Sequence, residues 1–590
     1  MSLLESAPTT KAKTTFSILC FLMALPGAIF AQNTHGTFTK SPTQFEQVDT
    51  WASPDLGSRA ADEVKENWGL NGGTPMSSSN IFNAIAADDN GNLYVIGTIE
   101  GNAQFGSINV SSASGQTAMV IGKINPNGQW AWVRAATGGP SSGLDLTIRN
   151  NEIAIVGQFR SSITFGGKTG SSNVTNQEEG FVAKMDLNGN ISWINVINGA
   201  GTQNTEFVEF GSDGSIYIAG EFFNNVILGN DVYQRRGSGE KDMYVAKLSN
   251  TGSWTWSADF GSTGRDFLDN MAISANDELI LCGSFTERMT LSDGNDFSSV
   301  HSNHMDAYIV LMNSQGAFSG YGGFSGDEDI RAEAVAFNSA GFAFIAINFK
   351  DNVYFFGTEY GSVGGDWGYL MVSLAPNNQM DAFFSSEEDE FVESIAINKD
   401  GDMYFAGGEL ESGSFGGCDI NLRKVEWISQ TQFTLRSNRV GSASGSWDQA
   451  EMVYVDNKDN VYITGEHEDK LYFGGETFNS SARQMALVLA FTDKSATNPG
   501  DTTTSIVETT AGQMLKVFPN PANGQLHVQT SGDSFEAFDA QIRGVDGRQY
   551  EIEILAEPSS TERVINTTHL DPGVYFLHVE GTAIRFAVTH

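Results

Sequence analysis

Acidic side chains recur at one fixed spacing along this 590-residue chain. Fourteen residues before each of six markers, which are described below, stands an acid or, once, an asparagine. A sixth acid takes the equivalent place before the seventh marker, where a turn is two residues shorter. The set is Asn83, Asp145, Glu206, Asp269, Glu333, Glu393 and Glu451. Carboxylates gathered at one opening can attract cations or accept hydrogen bonds from a polyol. A repeated carboxylate can equally bond backbone amides of the next repeat, which would make the set a structural fastener.

Other chemistry is sparse in the sequence. His301 and His304, with Asp306 nearby, could ligate a metal, but they lie in a loop without further ligands. We therefore predict no metal and no cofactor. No nucleophile elbow, phosphate-binding loop or zinc-protease motif is visible in the sequence. Paired carboxylates can cleave glycosides, yet among 71 acidic residues some pair always looks suggestive. The sequence therefore favours a binding protein over an enzyme.

The acids belong to a repeat of about sixty residues. A β-branched or aromatic run ending in glycine recurs, as at 93–97 (Leu-Tyr-Val-Ile-Gly) and 216–220 (Ile-Tyr-Ile-Ala-Gly). The markers that end these runs are Gly97, Gly157, Gly220, Gly283, Ile347, Gly407 and Gly465. Their successive steps are 60, 63, 63, 64, 60 and 58 residues. Self-similarity at such a period is the signature of a repeat architecture.

Each copy divides into four predicted strands. A turn such as 88–92 (Asp-Asp-Asn-Gly-Asn) joins the first strand to the marker run, and Asn-Gly pairs supply the positive φ that hairpins need. A third strand follows, and a fourth carries Trp132, Trp193 or Trp256. Four antiparallel strands repeated seven times are typical of a β-propeller, whose first strands are innermost. We therefore expect the repeated acids to circle one mouth of a central channel.

This repeat resembles the bacterial propeller repeats of the form Asp-x-x-Gly-Asn-x-Tyr-x-x-Gly, over residues 64–494. The resemblance implies the fold and says little about function. The seventh copy stops after its third strand, at 486–490, while a stray strand surrounds Trp68 ahead of the first copy. If these two pair, no sheet edge stays open. The predicted fold class is all-β: a seven-bladed β-propeller closed by strands from both ends, followed by a small Ig-like β-sandwich.

The N-terminus has the features of a secretory signal peptide, predicted over residues 1–31. Lys11 and Lys13 precede an apolar stretch from 16 to 30, and cleavage is expected between Ala31 and Gln32. This stretch is too short and too broken for a membrane span, so we expect no membrane insertion of the mature protein. Residues 32–63 are predicted to form an N-terminal extension.

The formal charge of −38 argues against nucleic acid as a partner, because phosphates would be repelled. Cys282 and Cys418 lie in different, non-adjacent copies, so we expect no disulfide. Cys282 is predicted as a small core residue of a strand and Cys418 as a free thiol in a loop. We expect a monomer.

The C-terminal segment carries a different set of motifs. Residues 495–513 have the small, polar composition of a linker, and 514–590 are predicted as a compact domain. The motif residues are Pro519, Asn520, Pro521, Gly524, Gly573, Tyr575 and Arg585. In order and spacing these blocks resemble the C-terminal sorting domain of type IX secretion cargo, with Arg585 where lysine is often seen. The resemblance implies an Ig-like sandwich recognised by the outer-membrane translocon, often cleaved, with the passenger released or attached to the surface.

The sequence thus predicts a secreted or outer-membrane-attached binding propeller for a glycan or protein ligand, exported through the periplasm by the Sec and type IX translocons. Two alternatives remain open: an extracellular hydrolase or lyase that uses the rim carboxylates, and a structural component of the surface layer.

Overall fold

The protein is described here from a computed structural model. It describes residues 38–40, 46–50, 64–72, 80–174, 176–237, 241–300, 303–362, 367–386, 390–410, 418–427, 432–440, 448–468, 470–473, 476–479, 485–493, 506–510, 513–518, 524–530, 540–544, 549–550, 552–559, 562–570, 573–579 and 582–588. Across these ranges the regular elements are all β-strands, and no helix that could cross a membrane occurs. The predicted signal peptide and its cleavage position at Ala31 and Gln32 lie outside the described residues.

Seven modules follow one another, each an antiparallel sheet of four strands that we label A to D. Module 1 has Ile81–Ala87, Leu93–Glu100, Thr117–Ile124 and Trp130–Ala135; module 2 has Ser141–Arg149, Glu152–Arg160, Glu178–Asp186 and Ile191–Ala200; module 3 has Phe207–Phe210, Ile216–Phe222, Asp242–Leu248 and Trp254–Ser262; module 4 has Asp266–Ile273, Leu279–Phe285, Asp306–Met312 and Phe318–Gly326. Module 5 has Ile330–Phe337, Ala343–Lys350, Trp367–Leu374 and Gln379–Ser386; module 6 has Glu390–Ile397, Met403–Leu410, Cys418–Trp427 and Gln432–Val440; module 7 has Asp448–Val455, Asn460–His467, Met485–Asp493 and, from the other end of the chain, Val64–Gly72.

The strand from the other end completes module 7. Val64–Gly72 pairs antiparallel with Met485–Asp493, with Gly69 opposite Leu489. The predicted pairing of the segment around Trp68 with the last strand of the repeat region is therefore confirmed. The A strands contact one another in chain order, and the A strand of module 7 contacts that of module 1. The A strands thus enclose a common space.

The turn between strands A and B explains the motif that the repeats share. The Asp88 carboxylate accepts hydrogen bonds from the backbone amides of Asn90 (3.0 Å) and Asn92 (2.9 Å). It also accepts from the Asn92 side chain (2.8 Å) and the Tyr94 hydroxyl (3.2 Å). Gly91 has a φ of +80° in this turn, where a side chain would be strained. Aspartate, glycine, asparagine and tyrosine recur here because together they build the hairpin.

A tryptophan in strand D joins neighbouring modules. Trp193 of module 2 donates its Nε1 hydrogen to the Asn250 carbonyl of module 3 (3.1 Å), and Trp256 of module 3 donates to Ser314 of module 4 (3.1 Å). Each indole also lies against a turn glycine of the next module, where a Cβ would come within 2.8 Å of Trp193. The tryptophans recognised in the sequence therefore hold successive modules together.

Outer hairpins provide a second joint between modules. The hairpin strands are Asn102–Phe105 with Ile108–Ser111, Ser162–Phe165 with Lys168–Ser171, Asn225–Leu228 with Asp231–Gln234, Arg288–Leu291 with Asp296–Ser298, Asn352–Phe355 with Thr358–Gly361, and Lys470–Phe473 with Glu476–Asn479. The hairpins of modules 3, 4 and 5 each pair with strand D of the module before. The short strand Thr137–Gly138 pairs in the same way with Ser162–Phe165.

The N-terminal extension forms a strap along the outside of the later modules, which the sequence did not predict. Thr39–Lys40 pairs in parallel with strand D of module 5, and Glu46–Thr50 pairs in parallel with strand D of module 6. Phe38, only 5% exposed, packs into a cluster of buried side chains from modules 4 and 5. The strap therefore closes sheet edges that would otherwise be open.

Cys282 and Cys418, the cysteines among the described residues, are free and buried. Cys282 lies in strand B of module 4, which confirms its predicted core position. The prediction for Cys418 is wrong: it opens strand C of module 6 and is 0% exposed, because its side chain points into the sheet packing and not into a loop.

Two further sheets make up the C-terminal segment. The strand order is Ile506–Thr510, Gln513–Phe518, Gln525–Thr530, Glu562–Asn566, Ile554–Ser559 in one and Gln549–Tyr550, Ala540–Gly544, Gly573–Val579, Thr582–Val588 in the other. They share one buried cluster that includes Leu526, Ile542 and Leu577. The first strand lies inside the segment predicted as a linker, because residues 506–510 pair with residues 513–518.

The sorting-motif residues are distributed over these sheets. Gly524 has a φ of +83°, and Tyr575 is buried in the shared cluster. Gly573 opens a strand and Arg585 lies in the last one. Pro519, Asn520 and Pro521 lie outside the described residues.

Candidate functional site

The repeated acids sit at backbone irregularities of the A strands. In five modules one residue of strand A is skipped in the pairing with strand B. These skipped residues are Asn83, Asp269, Glu333, Glu393 and Glu451. A β-bulge leaves its extra residue unpaired and redirects its side chain. The repeat therefore places a polar group at the same bulge in modules 1, 4, 5, 6 and 7.

Four of these carboxyls face the same space. Burial raises the pKa of Asp269 well above its ordinary value, and the charges of Glu333 and Glu393 raise it further. Burial likewise raises the pKa of Glu393, with added repulsion from Glu333 and Glu451. The charge–charge interaction between Asp269 of module 4 and Glu393 of module 6 acts across the space that the A strands enclose. The structure therefore brings Asp269, Glu333, Glu393 and Glu451 together beside the space that the A strands enclose, and we call this part of the space the mouth.

Asn83 and Asp145 have another role. Asn83 donates from Nδ2 to the Gly143 carbonyl of module 2 (2.6 Å). Asp145 Oδ2 accepts from the Val208 amide of module 3 (2.8 Å). In module 2 the skipped residue is Leu144, so the prediction that Asp145 takes the equivalent place is wrong: it lies one position beyond the bulge. These two members fasten one module to the next.

Elsewhere the fastening comes from strand B, which the sequence did not reveal. Glu221 Oε1 accepts from the Leu268 amide of module 4 (3.1 Å). The Asn348 side chain donates from Nδ2 to the Val392 carbonyl of module 6 (2.9 Å) and accepts at Oδ1 from the Val392 amide (3.0 Å). Glu221 and Asn348 each follow a repeat marker directly, and this shared position was the available signal.

The carboxyl groups of the mouth therefore do not fasten one module to the next. Among the described residues, none of the four accepts a hydrogen bond from the backbone of a neighbouring module; Glu393 receives only a long one from the Gln449 side chain (3.4 Å). The buried Oδ2 of Asp269 has no hydrogen-bond partner in the described part of the chain, whereas the Glu206 carboxyl is hydrogen-bonded to the Asn204 side chain (2.6 Å) and to the Glu221 carboxyl. Buried polar atoms are normally satisfied, so the Asp269 oxygen is a candidate to receive a ligand's donor.

A group of cations breaks the sevenfold pattern on modules 3 to 5. The ring of Phe267, two residues before Asp269, has three cationic groups near its centroid: Lys241 Nζ at 5.4 Å, Arg331 Cζ at 5.5 Å and Arg265 Cζ at 5.7 Å. Lys241 is also paired with Glu221, and Arg331 lies 3.7 Å from Glu333. We call Lys241, Arg265, Phe267 and Arg331 the Phe267 cluster.

The Phe267 cluster belongs to the same opening as the acids. Burial, and then the charge of Glu221, raises the pKa of Glu206 well above its ordinary value. Lys241 lowers this pKa and Asp269 raises it further. Arg331 counteracts the rise in the pKa of Asp269 and of Glu393. The mouth therefore combines carboxyls, cations and one aromatic ring, a set able to bind polar ligands.

The histidine motif does not join this mouth. His301 lies outside the described residues. His304 Nδ1 lies 3.4 Å from Glu328, and Asp306 accepts a hydrogen bond from the Val300 amide (2.6 Å). Within the described ranges no three histidine, cysteine or acidic residues are arranged to hold a metal ion.

Comparison with known proteins identifies the C-terminal segment. Residues 516–587 match the model of the secretion system C-terminal sorting domain. This confirms the type IX sorting domain recognised in the sequence, and it indicates a cargo protein that is secreted or displayed at the cell surface through the type IX translocon. No curated protein matches the chain.

Similar solved structures are β-propeller proteins. A virginiamycin B lyase from Staphylococcus aureus is 9% identical, with 72% of this chain and 99% of that chain covered and a TM-score of 0.36. An ulvan lyase of a polysaccharide lyase family, bound to -[GlcA(1-4)Rha3S]-, is 11% identical over 69% and 96%, with a TM-score of 0.40. A protein of unknown function from Dyadobacter fermentans is 9% identical over 73% and 99%, with a TM-score of 0.35. At these scores the likeness transfers no activity to this chain.

Proposed function

We propose that this secreted cargo is a glycan-binding module whose seven modules are the blades of a closed seven-bladed β-propeller, carried by an Ig-like sorting domain. The ligand binds at the mouth. One observation carries the proposal: carboxyls at the bulges of modules 4 to 7 converge on one opening without fastening the modules.

Sugar hydroxyls suit such a mouth. They donate to carboxylates in charge-assisted hydrogen bonds, which are about twice as strong as neutral ones. Carboxyls with raised pKa, such as Asp269 and Glu393, also keep protons that they can donate to a sugar oxygen. A protein ligand is the second outcome that a binding screen can return.

The test is a glycan array probed with the mature protein, followed by calorimetry on the best ligand. Replacing Glu333→Gln and Glu393→Gln together should weaken binding at least tenfold. Glu359→Gln, an exposed acid of the outer hairpin of module 5, is the matched control and should leave affinity unchanged. Undiminished binding by the double variant would remove the mouth from the ligand site.

A hydrolase or lyase is the second candidate, and the coupled carboxyls favour it specifically. Because Asp269, Glu333 and Glu393 repel one another when charged, the loss of a proton from one of them would leave a general base next to a protonated general acid. The distinguishing measurement is incubation of each bound glycan with the protein and mass analysis of the products. Shortened chains that disappear with Glu333→Gln would establish an enzyme, and intact chains a binding module.

A further inference from the structure

The Phe267 cluster places positive charge at an opening that is otherwise acidic. The chain has 33 lysines and arginines against 71 acids, yet three cationic side chains converge on one phenyl ring. Lys241 is paired with Glu221 and Arg331 lies 3.7 Å from Glu333, whereas no ion pair compensates the charge of Arg265 within the described residues. The arrangement is therefore one that an anion would stabilise.

Arg265 is the member best placed to receive that anion. It lies at the start of module 4, immediately before strand A, and is exposed. Its guanidinium makes no ion pair or side-chain hydrogen bond with any part of the chain that the structure describes; its recorded contact is with the Phe267 ring. All five of its N–H donors thus remain for a ligand, and their planar fork matches a carboxylate in two parallel hydrogen bonds.

The acids beside the cluster provide the complementary half of a sugar site. Asp269 Oδ2 has no described hydrogen-bond partner, and Asp269 interacts electrostatically with Arg331 and with Glu206, which in turn interacts with Lys241. Carboxylate oxygens accept from hydroxyls, while the guanidinium donates to an anionic group. Donors and acceptors on adjacent sides of one opening fit a ligand that carries both hydroxyls and a negative charge.

The chain's net charge does not exclude such a ligand. At physiological ionic strength the Debye length is about 8 Å, so charges on remote modules are largely screened and the local groups dominate. These local groups include three cations as well as the acids of the mouth.

Resting on the glycan-binding function proposed above, we infer that the sugar residue bound at the mouth is acidic, with its anionic group on Arg265 and a hydroxyl on Asp269. A carboxylate and a sulfate share this chemistry, and the experiment separates them.

The experiment compares ligands that differ only in charge. Calorimetry on the mature protein uses oligogalacturonate against its methyl ester, and a sulfated oligosaccharide against its desulfated form. We expect at least one acidic form to bind tenfold or more tightly than its neutral counterpart. The pair that shows the difference identifies the anion as carboxylate or sulfate.

Variants locate the effect. Arg265→Gln should abolish most of the preference for the acidic form, measured as the ratio of its affinity to the affinity of the neutral form. Arg288→Gln, in the outer hairpin of module 4, removes an equal charge away from the mouth and should keep the preference. An Arg265→Gln protein that still prefers the acidic form would overturn the inference.

The outcomes also separate this inference from the proposed function. Neutral and acidic forms bound equally well would overturn the acidic-sugar inference and leave glycan binding standing. Failure of every glycan, charged or neutral, in the array and in calorimetry would overturn both.

Discussion

At the scale of single residues, the space enclosed by the A strands contains a second pair of acids, Asp145 and Glu209. Burial raises the pKa of Asp145 to about 7. Burial, and then the nearby charge of Asp145, raises the pKa of Glu209 to about 8. Thr147 donates a hydrogen bond to Glu209 (3.2 Å). The charge of Glu209 also raises the pKa of Tyr454 in module 7. Both carboxyls are therefore protonated in the folded protein at pH values where the unfolded chain is ionised.

This pair predicts that Glu209→Gln stabilises the protein in alkaline solution. The pKa of Glu209 is about 8 when folded against 4.5 ordinarily, so the folded state retains a proton that the unfolded state loses. The free energy of unfolding therefore falls as the pH rises from about 4.5 to 8. Glutamine stays neutral and can still accept from Thr147. The variant should melt about 2 °C or more above the wild type at pH 8.5, and the two should coincide near pH 4.

Thermal melts at a series of pH values provide this measurement. Glu359→Gln, which removes an exposed acid, is the control and should show no such trend. A Glu209→Gln protein whose advantage is the same at pH 4 and pH 8.5 would contradict the assignment.

A second prediction concerns the seam between modules 2 and 3. Gly252 has a φ of +84°, and a Cβ there would meet the Trp193 ring at 2.8 Å. Gly294 has a similar φ of +91° with nothing within 4 Å, so Gly294→Ala measures the backbone strain alone. We expect Gly252→Ala to lower the free energy of unfolding by about 1–3 kcal/mol more than Gly294→Ala, because the indole must shift. Equal losses in denaturant titrations would mean that the seam tolerates the methyl group.

The sequence predicted those residues of the site whose positions follow from the repeat period. It missed the residues that come together only in the folded structure. The sixty-residue period located Asp269, Glu333 and Glu393 at equivalent positions. It could not show that Asn83 bonds the next module while Glu333 does not, because hydrogen-bond partners depend on where each side chain points. The Phe267 cluster was missed because its members lie far apart in the chain, although Phe267 and Arg331 both stand two residues before a repeated acid.

At the scale of elements, the strap distinguishes the later modules from the earlier ones. Modules 2, 3 and 4 have strand D covered by the next module's hairpin, whereas the D strands of modules 5 and 6 pair with Thr39–Lys40 and Glu46–Thr50. Strands of two and five residues carry too short an alternation of polar and apolar residues to be recognised in a sequence. The four strands of each module, by contrast, were predictable because their runs and turns repeat.

The strap predicts a local effect of Phe38→Ala. Removing a phenyl ring that is 5% exposed costs about 3–5 kcal/mol, more than two short strands can regain, so the strap should detach. Backbone amides in residues 379–380 and 432–435, the stretches that pair with the strap, should then exchange hydrogen faster, while those of module 2 stay protected. Phe342→Ala, at a residue that is 38% exposed, is the matched control. Unchanged exchange in both stretches would show that the strap does not depend on Phe38.

At the scale of the whole molecule, closure depends on a single strand from the opposite end of the chain. Val64–Gly72 covers the edge of Met485–Asp493, so removing the chain through residue 72 exposes that edge. We expect this truncated protein to self-associate and to lose its cooperative melt. Truncation through residue 50 removes the strap but leaves all seven modules with four strands, so it is the control that should keep the cooperative melt. Light scattering and calorimetry measure association and cooperativity. A monomeric, cooperative protein after truncation through residue 72 would mean that the ring does not need this strand.

The C-terminal domain and the modules before it are expected to act separately, one directing export and the other binding. The sorting domain matches over residues 516–587, but its first sheet begins with Ile506–Thr510, so a truncation at 513 would leave that strand without its partner. Ending the chain at residue 494 avoids this. The shortened protein should keep its glycan affinity but remain inside a cell with a working type IX system.

Conversely, residues 495–590 fused to a reporter with a signal peptide should carry the reporter to the surface or medium. The fusion beginning at 514 should do so less efficiently because an edge strand is lost. Cell fractionation measures both, and equal export by the two fusions would show that residues 506–510 are dispensable for sorting.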